Sequence, residues 1–303
     1  MDEIDLKIIL LLFSNSRLTY REISDHLGLS INAIYKRIQN LIDLNIIQKF
    51  TARLKPHAIN AIYVFIMGQS EDQDLDQVSK ELGYNENTWQ IILSSRNYVY
   101  IGAFLENIHQ LDNYTSFISK VAKIQSPKVG LLSGVQYSTP VPYIIPKSRN
   151  MTYDNLDLEI IKSLHHDSRK PISEISEDVH STPNTVRRRL NRLIEEGIVE
   201  LSIAFNPEES NDIFTVFQIF TTPSVDKIDF AKYLNEKYSP NLFYCWTFSN
   251  IPNFILCWVW SNTMKELDEL IDNIKSETID SLIFDIMYKA FYFDTWIEKL
   301  LYK

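Results

Sequence analysis

Two cysteines and seven glycines are all that 303 residues contain of either type. So few thiols cannot build a disulfide framework or, by themselves, a four-ligand zinc site, which fits a reducing compartment. So few glycines leave little room for a phosphate-cradling loop. No apolar run reaches the roughly 20 residues that a membrane-spanning helix needs. The start, Met1-Asp2-Glu3-Ile4-Asp5, is acidic where a signal peptide would be basic. Together these features predict a chain that stays in the cytoplasm and touches no membrane. Positive charge is scarce as well. A formal net charge of −9 argues against a basic shell that coats nucleic acid, although local contact depends on where the charges sit. What is present is ordinary globular material, 45% hydrophobic and 23% charged, enough for several small cores.

The dominant pattern is an internal repeat. Ile4 to Ile47 reappears without a gap at Leu156 to Val199, a shift of 152 positions (157 − 5, taking Asp5 onto Asp157). Ser16-Arg17 falls on Ser168-Arg169, Glu22-Ile23-Ser24 on Glu174-Ile175-Ser176, Asn32 on Asn184, and Arg37 on Arg189. A period of half the chain is domain-sized, far longer than a solenoid repeat, so each copy should own a core. The expected organisation is a first helix-turn-helix at 1–56, a sheet module at 57–138, a proline-containing linker at 139–151, a second helix-turn-helix at 152–208 and a second sheet module at 209–303. The linker is marked by Ser138-Thr139-Pro140-Val141-Pro142, continuing to Pro146-Lys147, whose prolines favour an extended path.

In the first copy Ile4, Ile8, Ile9 and Leu12 recur at helical spacing, Thr19-Tyr20-Arg21-Glu22 is a capping box, and a turn follows at Gly28. Ser30 can cap a third helix with Ile34, Ile38, Leu41 and Ile42 on one stripe, leaving Asn32, Tyr35, Lys36, Gln39 and Asn40 on the other faces. The second copy repeats the plan with a helix over Ile172 to Val179, a turn at His180-Ser181, Thr182 as cap and Pro183 at the first helical position. Its open side carries Asn184, Thr185, Arg187, Arg188, Asn191 and Arg192, cations suited to phosphates and amides suited to base edges. Such arginines otherwise only solvate a helix or pair with Glu195 and Glu196; their place after a capped turn favours the binding reading. Arg37 and Arg189 precede a buried position, and they suit a phosphate or an internal acid equally well. Ile46 to Phe50 and Ile198 to Ser202 are β-prone runs expected to form a wing in each copy, and only the first is basic, through Lys49, Arg53 and Lys55.

After each wing the order βαββαβ is expected. The first set is Ala61–Met67, Leu75–Leu82, Trp89–Leu93, Tyr98–Leu105, Leu111–Val121 and Val129–Gln136. The second is Phe214–Thr221, Phe230–Tyr238, Leu242–Phe248, Phe254–Trp260, Leu267–Ile274 and Ser281–Tyr288. The fold class is therefore α+β, a winged helix-turn-helix plus a ferredoxin-like sandwich, the pair duplicated in tandem. Such a sheet leaves one face bare, and Trp246, Trp258 and Trp260 make it apolar here, so something must cover it. The equivalent sheet of the other half is the economical cover, giving an intrachain pseudo-dimer; association between chains would serve too, and stacking on RNA is the competing use. Cys245 and Cys257 stand equidistant from Ile251, so a hairpin there sets them opposite each other, as small core residues or, less simply, as a redox pair. The six histidines form no evident acid-base or metal cluster, and His165-His166 suggests a solvated helix end. No cofactor and no metal are expected, and the chain is expected not to be an enzyme.

The first helix Ile4-Asp5-Leu6-Lys7-Ile8-Ile9, the turn Gly28-Leu29-Ser30 and Leu193-Ile194-Glu195-Glu196-Gly197-Ile198 resemble the Lrp/AsnC family of feast-or-famine transcriptional regulators. The resemblance covers both halves. It implies two family units in tandem, a winged helix-turn-helix for double-stranded DNA, and a ferredoxin-like domain that dimerises and often senses amino acids. An amino-acid effector and a homo-oligomer come with it as possibilities. The DNA-contacting set so implied is Ser30, Asn32, Tyr35, Lys36, Arg37, Gln39 and Lys49 in the first unit. In the second it is Thr182, Asn184, Thr185, Arg187, Arg188, Arg189, Asn191 and Arg192. Two departures bear on this. The turn between second and third strands, where the family has a Gly-x-x-Asp-like sequence, is Ser94-Ser95-Arg96-Asn97-Tyr98 and Ser249-Asn250-Ile251-Pro252-Asn253. The turn His180-Ser181-Thr182 lacks the family's glycine. Siroheme decarboxylases are similar in plan and also occur as fused pairs, but the histidine they place near the third strand has no counterpart in Tyr98–Leu105 or Phe254–Trp260.

Overall fold

The computed structural model describes residues 1–137 and 152–302. The proposed linker lies outside the described residues. Two compact units emerge, and each gathers equivalent parts of both repeats. One holds the two helix-turn-helix copies, Glu3–Asn60 and the segment 152–209, with residues 296–302; the other holds both sheet modules, residues 61–137 and Ser210–Thr295, with Met1–Asp2.

The helical unit begins with α1 (Glu3–Ser14), α2 (Tyr20–Leu27), α3 (Ile31–Asp43) and strand β1 (Ile47–Leu54). Thr19 and Glu22 form the expected capping box on α2, and Gly28 ends that helix at φ 67°, a left-handed position glycine takes without Cβ strain. Leu6, Ile8, Ile9, Leu10, Leu11 and Leu12 are all at most 1% exposed, so α1 is the buried centre of its copy. Each such side chain contributes roughly 1.5–3 kcal/mol on burial.

The sheet unit then takes β2 (Ile62–Gln69), α4 (Leu75–Gly83), β3 (Thr88–Ser94), β4 (Tyr98–Leu105), α5 (Leu111–Val121) and β5 (Lys128–Tyr137). The chain returns to the helical unit with α6 (Asn155–Leu164), α7 (Ile172–Asp178), α8 (Pro183–Glu195) and β6 (Val199–Phe205). The second sheet module follows as β7 (Ile213–Thr221), α9 (Lys227–Lys237), β8 (Leu242–Phe248), β9 (Ile251–Ser261), α10 (Met264–Lys275) and β10 (Ile279–Tyr292), before the short α11 (Trp296–Lys299). The fold is α+β, helix-turn-helix and βαββαβ modules duplicated in tandem, as the sequence pattern predicts.

The wings depart from expectation. Rather than one wing per copy, β1 and β6 pair with each other, antiparallel, with Phe50 opposite Ile203 and Ala52 opposite Leu201. A single strand has no ladder partner inside its own copy, and the repeat supplies one. Around this ribbon the copies make reciprocal contacts. Ser16 and Ser168, equivalent by the repeat, share a hydrogen bond of 2.5 Å. Arg17 donates to the carbonyls of Ser168 and Lys170, while Arg169 donates to those of Ser16 and Leu18. His165 corrects a second expectation. It is 3% exposed with Nδ1 2.9 Å from the Ala52 carbonyl, so it belongs to the packing of α6 on β1, and His166 alone faces solvent.

In the sheet unit all eight strands close on one another in the order β10-β3-β4-β2-β5-β8-β9-β7, with β7 returning to β10. Each half keeps the ferredoxin-like order, and the last strand of each pairs with the second strand of the other, β5 with β8 and β10 with β3. The closure removes sheet edges, which would otherwise invite foreign strands. Trp246, Trp258 and Trp260 are 3–5% exposed, so the aromatic faces are covered inside this chain and do not serve as a stacking platform for RNA. Phe65 of the first half packs on Trp246 and Phe248 of the second. Gly130 permits the β5–β8 junction, since a Cβ there would stand 2.4 Å from the Phe248 ring. Cys245 and Cys257 face each other as the hairpin symmetry predicts, with Sγ atoms 3.0 Å apart in the core under α9 and α10. Burial, and then the neighbouring Cys245, push the Cys257 thiol up, which suits two packed thiols.

Candidate nucleic-acid interface

Each third helix is launched by a hydroxyl. Ser30 Oγ accepts from the Ala33 amide at 3.2 Å, and Thr182 Oγ1 accepts from the Thr185 amide at 3.2 Å, with Pro183 filling the first position where no amide is missed. Thr185 Oγ1 lies 2.9 Å from Thr182 Oγ1, so the threonine pair braces the start of α8. Ile34, Ile38 and Leu41 bury one face of α3, and Val186, Leu190 and Leu193 bury one face of α8.

The open face of α3 presents Asn32, Tyr35 and Lys36 to solvent, with Gln39 half-buried one turn on. The open face of α8 presents Asn184, Arg187, Arg188 and Asn191. Lys49 is exposed at the start of the ribbon. The remaining cations of the expected set turn inward. Arg37 donates to Asp5 at 2.7 Å. Arg189 contacts Asp154 at 2.6 Å and Asp157 at 3.0 Å, and Arg192 reaches Asp157 at 2.5 Å and the Thr152 carbonyl at 3.0 Å. Asp157 is 1% exposed, so these arginines neutralise a carboxylate that would be costly to bury alone. Of the two readings open for Arg37 and Arg189, the structure takes the internal acid. The Arg189 hydrogen bond, followed by the Asp157 amide, holds the Asp154 carboxyl below its ordinary range. Arg188 joins Arg189, Arg192, Tyr153, Asp154 and Asp157 around an open cleft of about 440 Å³ beside α8.

Charge on the ribbon is likewise balanced. Arg53 is ion-paired with Glu200 on the opposite strand. Burial raises the Glu200 carboxyl, yet Arg53 and Lys55 outweigh it and hold the group below its ordinary range. His57 donates its Nε2–H to the Gly197 carbonyl, 3.0 Å away, and burial, reinforced by Lys55, depresses its pKa. This charged cluster around Glu200 went unread in the sequence, where Glu200 is only the lone acid in a β-prone run.

A polar cluster lies inside the aromatic lining of the sheet unit. Asp285, fully buried on β10, accepts from Arg96 at 2.5 Å and from Tyr100 at 2.8 Å, with Gln218 at 3.5 Å. It ties the β3–β4 turn of the first half to the last strand of the second. Among the described residues no group of His, Cys, Asp or Glu is placed to hold a metal ion, and no helix is long and apolar enough to cross a membrane.

Residues 1–48 and 153–200 each match the winged helix-turn-helix DNA-binding family, and the second span starts 152 positions after the first (153 − 1), the offset of the internal repeat. An HTH-type transcriptional regulator of Pyrococcus horikoshii, itself uncharacterized, is 29% identical over 45% of this chain and 95% of its own length. The HTH-type transcriptional regulator FL11 of the same organism is 27% identical over 41% of this chain and 84% of its own. A single relative thus corresponds to one half of the chain. Among solved structures, the siroheme decarboxylase NirDL covers 99% of this chain and 97% of its own, at a TM-score of 0.61 and 11% identity, a likeness of fold alone.

Proposed function

We propose that this chain, Lrp/AsnC-like and holding two such units in tandem, is a sequence-specific DNA-binding transcriptional regulator acting as a fused pseudo-dimer. The observation that carries the reading is the division of labour on α8. Arg189 and Arg192 are spent on Asp154 and Asp157, while Arg187 and Arg188 stay exposed beside Asn184 and Asn191 on a helix with a capped, open N-terminus. A guanidinium fits the acceptor pair of guanine, an amide fits adenine, and the helix N-terminus favours a phosphate. On α3, Asn32, Tyr35, Lys36 and Gln39 take the equivalent places, with Lys49 reaching the backbone. Ser30 and Thr182 orient the helix starts. Arg37, Arg189 and Arg192 act indirectly, by fixing each third helix against the first helix of its copy. Because the two faces differ in chemistry, the preferred operator is an asymmetric pair of half-sites.

Selection from a random double-stranded DNA library at two salt concentrations tests this, with the Arg187→Ala/Arg188→Ala variant in parallel. A bipartite motif that the variant loses is the expected result. Weak, salt-labile binding without enrichment would overturn the proposal.

The whole-chain likeness in fold to a siroheme decarboxylase gives a second reading, a tetrapyrrole enzyme. Here β4 and β9 carry no histidine, and Arg96, a cation beside the aromatic lining, is already held by Asp285. Titration with an iron porphyrin is expected to leave its Soret band and the tryptophan fluorescence unchanged; a saturable shift would favour the enzyme.

A further inference from the structure

The two third helices differ in one respect that charge does not capture. On α3, Ile31 and Tyr35 stand one turn apart and remain 49% and 47% exposed, two large apolar groups on an otherwise polar face. The equivalent positions of α8 are Pro183 and Arg187. Tyr35 is not loose, for Tyr20 meets it edge-on, ring centroids 5.5 Å apart and planes at 88°. Tyr20 in turn lies under a guanidinium from the other repeat, Arg169, 5.4 Å from its ring; the same guanidinium sits 4.1 Å from Phe50. Arg169 is itself pinned by hydrogen bonds to the carbonyls of Ser16, at 2.7 Å, and Leu18, at 3.2 Å. No such chain exists in the second copy, where Ile172 replaces Tyr20 and Ser202 replaces Phe50.

We infer that Tyr35 is a thymine-methyl reader, its ring aimed by Tyr20 and, through Tyr20, by Arg169 of the second repeat. This rests on the DNA-binding reading and deepens it. In the major groove, thymine is the base that offers a methyl group, and an apolar side chain recognises it by contact alone. A ring held edge-on has already lost much of its rotational freedom, so less is lost on binding. The first half-site is therefore thymine-dependent, whereas Arg187 and Arg188 make the second guanine-dependent. Arg169 and Tyr20 are positioning residues: neither lies on the reading face, and both act through Tyr35.

The full chain is tested against two random duplex libraries, one with thymine and one with deoxyuridine, which lacks the methyl. Replacing thymine by deoxyuridine in the first half-site of the selected sequence should weaken binding about fourfold for each methyl contacted, the worth of one buried methylene. Tyr35→Ala should bring that ratio to one, and Tyr35→Phe, which keeps the ring, should preserve it. Tyr20→Leu and Arg169→Lys should lower the ratio while the guanine preference of the other half-site persists, a split that general unfolding does not produce. Tyr35 is exposed, so Tyr35→Ala carries the test even if Tyr20→Leu folds poorly. A selected site bound equally with either base, or equal ratios for wild type and Tyr35→Ala, overturns this inference alone. Failure to select any site overturns the DNA-binding reading with it.

Discussion

Arg187, Arg188 and Arg189 are consecutive and chemically identical, yet the structure separates them. The first two face solvent and the third is bound to Asp154 and Asp157. Replacing Arg187 or Arg188 by alanine is expected to cost about 1–3 kcal/mol of binding at a site whose base it reads, with no change in melting temperature. Arg189→Ala should do the reverse, lowering thermal stability because the buried Asp157 loses one of the two arginines that pair with it, while base preference is retained. Parallel melting and DNA titration of the variants check both. The heptad-like spacing made the reading face legible in the sequence, but the fate of each cation depends on which acid the neighbouring helix brings near. Asp157 lies more than thirty residues from Arg189, and no local pattern reports that approach. His165 misled for the same reason: a polar residue at a helix end looks solvated until β1 is known to cover it.

The elements were the most legible level. The bounds of β4, α5 and β8 coincide with those expected, because alternating or helical apolar spacing and caps mark them locally. What could not be read was which strand pairs with which. Both β1 and β6 carry the composition of a wing, and only the assembled repeat shows them as one ribbon. That ribbon has a pH signature. The His57 pKa is depressed from 6.5 by burial and by Lys55, so its stabilising neutral form is complete above 6.5 and stability falls as the pH drops through the lowered value. Glu200 is also depressed, from 4.5, and adds a second loss further into acid. Melting temperature measured against pH should therefore decline in two stages, and His57→Gln should remove the first. A flat profile between pH 7 and 5 in the wild type would contradict this origin.

At the scale of the whole molecule, the repeat is completed by exchange between its copies. Neither sheet module is closed without the other, since β3 needs β10 and β5 needs β8. A fragment of residues 1–137 is accordingly expected to run as a dimer in sedimentation, its own β3 and β5 edges pairing between copies. Gly130→Val should destabilise the intact chain by about 1–3 kcal/mol through overpacking against Phe248. The sequence made the duplication plain and the covered aromatic face foreseeable, but closure at both edges is a property of two modules together. Fusion also lets the two copies diverge, and the reading faces of α3 and α8 have done so. The most direct test is to take the bipartite site that selection yields and build from it two perfect palindromes, one from each half-site, at unchanged spacing. The asymmetric site is expected to bind more tightly than either palindrome, with the advantage over the first half-site's palindrome lost in Arg187→Ala/Arg188→Ala and the advantage over the second half-site's palindrome, which α3 supplies, retained. A palindrome that matches or exceeds the asymmetric site would contradict a fused, two-specificity reader.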